Sequence, residues 1–368
     1  MGCADTYVRI TRKEIPHERA CSIMTERTLS RVAAASILAS GAVALAGCKA
    51  PQAFGERHAL IVHADTALWA QVEPAVRESL ERTVFTTRPE RTFELTHVAP
   101  DDETWSEFRL FWQVLVIGSP DEEIVADLVG DSDDPDARPP AIVQQQGRWA
   151  RGQRVTVMLL PEQGTAAAVR DLLPELYSLL MEQYREWVRD RMYTTGVDDS
   201  LRQALAEHGF TLDVPRVYET GREDSVFRFR NTYQAGQSDL FRSLLVTWQQ
   251  GVDPVQPDSL FAWRERLGDT GYDPPQDILQ EGLRWDTVTV AGQSTVELRG
   301  VYQDRAEFPA AGPFIARAVP CQEQNRTYYM DGWVFAPGTA KYPYVLQLEL
   351  LMGSFDCAGA RALAAAEG

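Results

Sequence analysis

The chain has 368 residues, with 36 basic against 53 acidic side chains and a formal charge of −17 at neutral pH. So acidic a surface repels phosphate backbones, which argues against a nucleic-acid partner. With 44% hydrophobic and 10% aromatic residues the chain can bury a core, which excludes a disordered protein, and its length suits two ordinary domains.

Residues 1–23 are charged, and Met24 is an alternative start to Met1. Arg27 and Arg31 precede Val32–Leu45, an uncharged run of fourteen residues. That is short of the roughly 20 needed to span a bilayer, but it suits the apolar core of a secretory signal. The run ends in Leu45-Ala46-Gly47-Cys48, which resembles a bacterial lipobox. The resemblance implies cleavage after Gly47, an acylated Cys48 seated in membrane lipid, and a cell-envelope location. Lys49 is not acidic, which points to the outer membrane, facing the periplasm. Residues 1–47 are therefore read as an N-terminal extension plus lipoprotein signal peptide, and 48–57 as a tether. From Cys48 onward, 30 basic and 49 acidic residues leave −19.

Ala59–Val62 reads as a strand, followed by a helix over Ala67–Arg82 capped by Thr66, with Leu68, Val72, Val76 and Leu80 on one face. Phe93–Val98 alternates like a half-buried strand, and Val114–Ile117 is apolar throughout, as in a strand covered on both faces. Ser119-Pro120 opens a short helix over Asp121–Val129, with Ser119 read as its cap. An acidic loop and strands near Ala141–Gln145 and Val155–Leu160 follow. Thr165–Met192 is a long helix with an apolar stripe from Val169 to Val188, expected to kink or restart at Pro174 and suited to brace two domains. Residues 58–193 thus read as an α/β sheet domain ending in a long helix.

Ser200 is expected to cap a helix over Leu201–His208 that Gly209 ends. Strands are expected at Thr211–Val217, Val226–Arg230, Leu244–Trp248, Thr287–Val290, Val296–Tyr302, Phe314–Val319 and Tyr328–Phe335. A helix over Leu260–Leu267 interrupts them, and a final helix over Tyr342–Phe355 places Val345, Leu348, Leu351 and Met352 on one side. Residues 200–357 read as an α+β domain, an antiparallel sheet with helices on one face, and 358–368 as a tail. The fold class is mixed α+β and α/β.

Candidate sites are sparse. His63 and His97 fall near the ends of two strands and could frame a ligand site there, or simply be polar strand ends. Gly118-Ser119-Pro120 lacks the second glycine of a nucleophile elbow. The acidic groups at Asp101, Asp121 and Asp131 suit solvated loops, and Asp131–Asp136 lacks the glycine and terminal glutamate of a calcium loop. No phosphate-binding glycine motif and no zinc-type cysteine spacing occurs, so neither a cofactor nor a metal is expected. Cys321 and Cys357 either pair or stay two buried thiols. Arg299, on a strand, binds a carboxylate, internal or on a ligand.

Several blocks carry a family resemblance: Glu297-Leu298-Arg299-Gly300-Val301-Tyr302, Gly312-Pro313-Phe314, Asp331-Gly332-Trp333-Val334-Phe335-Ala336-Pro337 and Gln347-Leu348-Glu349. With Leu244–Trp248, Leu60-Ile61-Val62 and Ala67-Leu68-Trp69, they resemble a family of uncharacterised bacterial lipoproteins, typical of Bacteroidetes-like bacteria and known only as a domain of unknown function. The likeness runs from about residue 58 to 356. It implies a lipoprotein location and carries over no activity and no functional residue. The expectation is a lipid-anchored envelope protein, without enzymatic activity, that binds an envelope protein partner or supports assembly. The alternative is an envelope hydrolase or glycan-binding protein with an acidic cleft lined by Trp69, Trp105, Trp112, Trp149, Trp248 and Trp263.

Overall fold

A computed structural model describes residues 50–163, 165–235 and 238–358. The lipobox Leu45–Cys48 and the tail beyond Ala358 lie outside the described residues. The first half contains β1 (Ala59–Ala64), α1 (Thr66–Leu80), β2 (Thr83–Phe85), β3 (Pro89–Arg91), β4 (Glu94–Val98), α2 (Trp105–Phe108), β5 (Gln113–Gly118), α3 (Glu123–Gly130), β6 (Ala141–Gln146), β7 (Arg154–Leu159) and α4 (Thr165–Met192). Five strands form a sheet in the order β4-β1-β5-β7-β6, parallel except for the β6–β7 pair. The continuous apolar runs of β1 and β5 are explained by burial on both faces. Leu60, Val62, Leu115 and Ile117 face α1 and α4, whereas Ile61, Val114 and Val116 pack with Val125 and Leu128 of α3.

Local details differ from the sequence reading. Asp65, not Thr66, caps α1, its Oδ1 accepting the N–H groups of Ala67 and Leu68 at 2.9 and 3.0 Å. Trp69 joins the buried face, with Leu68 packed partly buried against the same core. The hydroxyl of Ser119 turns to Asp121 instead of capping α3. Helix α4 continues through Pro174 rather than restarting there. Residues 51–57, expected as a tether, are pinned to the fold. Ala53 is 3% exposed and donates to the Arg151 carbonyl at 3.1 Å, and Trp112 donates to the Phe54 carbonyl at 3.1 Å.

The second half contains α5 (Asp199–Ala206), β8 (Phe210–Thr211), β9 (Glu219–Glu223), β10 (Val226–Ala235), β11 (Ser238–Gln250), α6 (Pro257–Thr270), β12 (Gln276–Val290), β13 (Gln293–Asp304), β14 (Ala311–Cys321), β15 (Arg326–Phe335), α7 (Tyr342–Gly353) and β16 (Asp356–Cys357). Seven strands form an antiparallel sheet in the order β12-β13-β14-β15-β11-β10-β9. Helices cover both faces rather than one. Leu260 and Trp263 of α6 pack on Leu245, Leu298 and Phe314, while Leu348, Leu351 and Met352 of α7 pack on Leu244, Ile315 and Met330. Successive strand residues point to opposite faces, so an uninterrupted run such as Phe314–Val319 needs cover on both. Gly312 is required for the close approach of β14 and β15, since a Cβ there would lie 1.8 Å from the Val334 carbonyl oxygen.

Asp198, not Ser200, caps α5 by accepting the Leu201 N–H at 2.9 Å. The strand expected over Thr211–Val217 shrinks to the two residues of β8, which pair with β16.

The described residues belong to one compact unit. Helix α7 joins its two halves. Tyr342 and Leu346 enter the same core as Leu176, Leu180 and Tyr184 of α4, while the opposite side of α7 serves the antiparallel sheet.

Candidate functional site

The strand β13 alternates, so Leu298 enters the core under α6 and Glu297 and Arg299 turn to the α7 face. There the Arg299 guanidinium donates to Glu297 and to Glu349 of α7. Glu297 also accepts from Arg317 Nε at 2.6 Å, and Glu349 from Arg185 of α4 at 2.9 Å. Burial would lower the Arg299 guanidinium, but Glu349 and Glu297 outweigh it and hold it above its ordinary value. Both carboxylates bound by Arg299 are internal, and the network ties β13, β14, α7 and α4 together.

His63 and His97 sit on neighbouring parallel strands, but one register step apart, with Val62 opposite His97 and His63 opposite Val98. Their side chains therefore face opposite sides of the sheet. His63 stacks on Trp105 at 4.0 Å between ring centroids, its Nδ1–H donating to the Val98 carbonyl at 3.1 Å. Burial lowers its pKa below the usual histidine value. His97 stacks on Trp69 at 4.8 Å, its Nε2–H donating to the Ala64 carbonyl at 2.9 Å. The strand pair does not bring the two rings to one site.

The acidic loops hold turns. Asp102 Oδ1 accepts the N–H and hydroxyl of Thr104 at 2.8 and 2.7 Å, and Asp131 pairs with Arg148 at 3.0 Å. Among the described residues no group of three or more histidine, cysteine or acidic side chains is placed to hold a metal. Cys321 and Cys357 are joined by a disulfide that closes a separation of 36 residues, with Cα atoms 5.8 Å apart.

A cleft that sequence reasoning missed lies on the antiparallel sheet. About 460 Å³ in volume, it is lined by Arg230, Phe241, Tyr272, Gln276, Trp333 and Phe335, among others. Beneath it, Arg264 and Asp331 are both fully buried and meet at 2.7 Å between Nε and Oδ1. Tyr272 donates its hydroxyl to Asp331 at 2.5 Å, and Arg264 Nη2 donates to Gln276 at 2.7 Å. Burial pushes the Asp331 carboxyl up and Arg264 and Tyr272 oppose that. The pair thus fixes two of the cleft's lining residues from below. Trp333 Nε1 is buried without a hydrogen-bond partner among the described residues. The signal for this cleft was the block Asp331–Phe335, whose alternation puts Asp331, Trp333 and Phe335 on one face of β15. The six tryptophans named from sequence are spread elsewhere, Trp263 stacking on Tyr329 and Trp248 packing on Phe227 and Tyr328.

The family described as Domain of unknown function (DUF4837) matches residues 198–354, the antiparallel-sheet half. No curated protein matches the sequence. Among solved structures, the Ran-binding protein Mog1p of Saccharomyces cerevisiae is 14% identical, over 42% of this chain and 93% of that one, with a TM-score of 0.31. LpqN of Mycobacterium tuberculosis, involved in cell envelope biogenesis, is also 14% identical, over 40% of this chain and 82% of that one, with a TM-score of 0.26. No helix among the described residues is long and apolar enough to cross a membrane.

Proposed function

We propose that the chain is a lipid-anchored envelope protein, acylated at Cys48 and held at the outer membrane facing the periplasm, that acts by binding an envelope protein partner. One observation carries this reading: an uncharged run of fourteen residues ends in Leu45-Ala46-Gly47-Cys48, two residues before the described fold begins at Ala50. Each buried methylene of an acyl chain contributes about 0.8 kcal/mol, so more than one chain on Cys48 anchors stably. The test is to express the full chain with labelled fatty acid and compare it with Cys48→Ser. Label and membrane association are expected on the wild type and lost together in the variant. A partner enriched from detergent-solubilised envelopes only by the acylated form supports the binding role. A Cys48→Ser protein that stays membrane-bound, beside an unlabelled wild type, overturns the anchor.

The aromatic cleft favours a second reading, glycan binding, because Trp333 offers a buried donor without a partner beside Tyr272, Phe241 and Phe335. Aromatic faces pack on sugar C–H surfaces, and a free indole N–H takes a hydroxyl oxygen. Titration of the full chain with envelope oligosaccharides should show binding that Trp333→Leu removes. Absence of any saturable signal ends this reading without touching the anchor.

A further inference from the structure

The pinned segment of residues 51–57 ends in Arg57, whose surroundings are unusual for so acidic a protein. Its guanidinium carbon lies 3.3 Å from the centre of the Trp112 ring and 5.0 Å from that of Trp187. Packed against two indoles, the cation loses part of its water. Burial lowers its pKa to about 10, helped by the charges of Arg154 and Arg191. No described carboxylate lies within 4.0 Å of it. Glu56, Glu186 and Asp190 line the same region, and Glu186 pairs with Arg154 at 3.0 Å. Arg57 and the exposed Arg191 are left as the cations facing the groove.

Two hollows of about 510 and 370 Å³ share Arg57, Trp112, Tyr184 and Trp187. The smaller one is also lined by Gln113 and Gln183, each only 7% exposed. Among the described residues neither Oε1 nor Nε2 of Gln183 has a hydrogen-bond partner. Gln113 donates its amide to the Arg57 carbonyl, but its Oε1 is unpartnered. An unsatisfied buried amide destabilises a fold, and a leucine of similar size would not. An unpartnered amide and a second free amide oxygen, beside a cation unpaired among the described residues and two indoles, have the parts of a polar binding site rather than of a core.

We propose that this groove binds a phosphate ester of a small polyol, with the phosphate on Arg57 and the hydroxyls on Gln183 and Gln113. The guanidinium suits phosphate oxygens, and each amide oxygen accepts from a hydroxyl while the Gln183 amide donates to another. The carboxylates that line the hollows, Glu56, Glu186 and Asp190, are matched in number by Arg57, Arg154 and Arg191, and the acidic surface farther than about 8 Å away is screened at physiological salt. Such an ester comes from two sources, a glycerophospholipid headgroup or the free ester. The headgroup source rests on the anchoring reading. Gln52, which also lines the smaller hollow, is four residues from Cys48, at most about 14 Å of extended chain.

The test uses the full chain in detergent, with tryptophan fluorescence followed as sn-glycerol 3-phosphate is added and glycerol and inorganic phosphate as controls. Saturable binding is expected, weakened about tenfold or more by Arg57→Gln and by Gln183→Leu. Gln183→Leu also removes an unsatisfied amide, so its melting temperature is expected to hold or rise. A residue kept only for packing would show the reverse, a lower melting temperature with unchanged affinity. Vesicles of phosphatidylcholine doped with phosphatidylglycerol then identify the source: they compete with glycerol phosphate if the headgroup is the ligand, and fail to if the free ester is. No saturable binding overturns the proposal, as does equal affinity in wild type and both variants, or phosphate alone binding as tightly as its ester. Acylation of Cys48 is measured on the same sample, so loss of the anchor with binding intact removes only the anchoring reading.

Discussion

Glu297 has no exposed surface, yet it accepts from two arginines, one of them Arg317, itself almost wholly buried. Removing one partner of such a group leaves a charge without water or counter-ion. Glu297→Leu is therefore expected to cost about 3–5 kcal/mol in urea unfolding, and adding Arg317→Leu to recover most of it. A single-variant loss under about 1 kcal/mol would show that water reaches Arg317. The residue sequence gave Arg299 a carboxylate but not which one, because Glu349 lies 50 positions away and meets it only through packing. His63 gives a pH dependence. Its pKa is lowered in the fold, so below the ordinary value of about 6.5 the unfolded chain binds the proton more readily. Stability from this group is present above that value and is lost as pH falls toward the folded pKa. Between about pH 7.5 and about pH 5.5 the wild type should lose melting temperature, and His63→Phe, which keeps a ring on Trp105, should lose less. Equal losses would place the titration elsewhere.

Long elements with one clear period were legible. The limits of α4, Thr165–Met192, coincide with the sequence reading, since its apolar stripe repeats through seven turns. The hairpin of β2 and β3 was missed because residues 83–91 are short and mostly polar. It nevertheless reaches across to the second half. Glu90 accepts the N–H groups of Lys341 at 2.9 Å and Tyr342 at 2.8 Å, a carboxylate seated at the start of α7 from 251 positions away. Phe85 of the same hairpin fills the space where a Cβ on Gly282, at φ +75°, would lie 1.8 Å from it. The helix α7 was read with one apolar side, whereas it is buried on nearly all sides between α4 and the antiparallel sheet. At the end of the chain, the disulfide fastens β16 to the end of β14. Closing a loop of 36 residues contributes roughly 3–4 kcal/mol by restricting the unfolded chain. Cys357→Ser should lose about that much in denaturant midpoint experiments, and an unchanged midpoint would mean that the thiols are not paired in solution.

For the whole molecule, the chain from Cys48 onward carries 30 basic and 49 acidic residues, so its surface repels itself. Salt screens that repulsion, and the melting temperature is expected to rise by about 2–4 °C or more between low salt and molar sodium chloride. A flat or falling curve would mean that ion pairs such as Arg148–Asp131 contribute as much as the repulsion takes away.

The sequence by itself determined the mixed fold class, most of the long helices and strands, the acidic surface and the lipobox resemblance at Cys48. Each of these depends on neighbours a few residues apart or on a sum over the chain. Tertiary structure alone decided which carboxylates Arg299 meets, that His63 and His97 face opposite sides of a sheet, and that Trp333 lines a cleft. It also set Gln183, unpartnered among the described residues, and the free amide oxygen of Gln113 beside Arg57. Gln113 and Gln183 are 70 positions apart on a strand and a helix, and only the packing of α4 over β5 gives them one hollow. A side chain's partner across a core is fixed by the sum of all the packing, which no local pattern encodes.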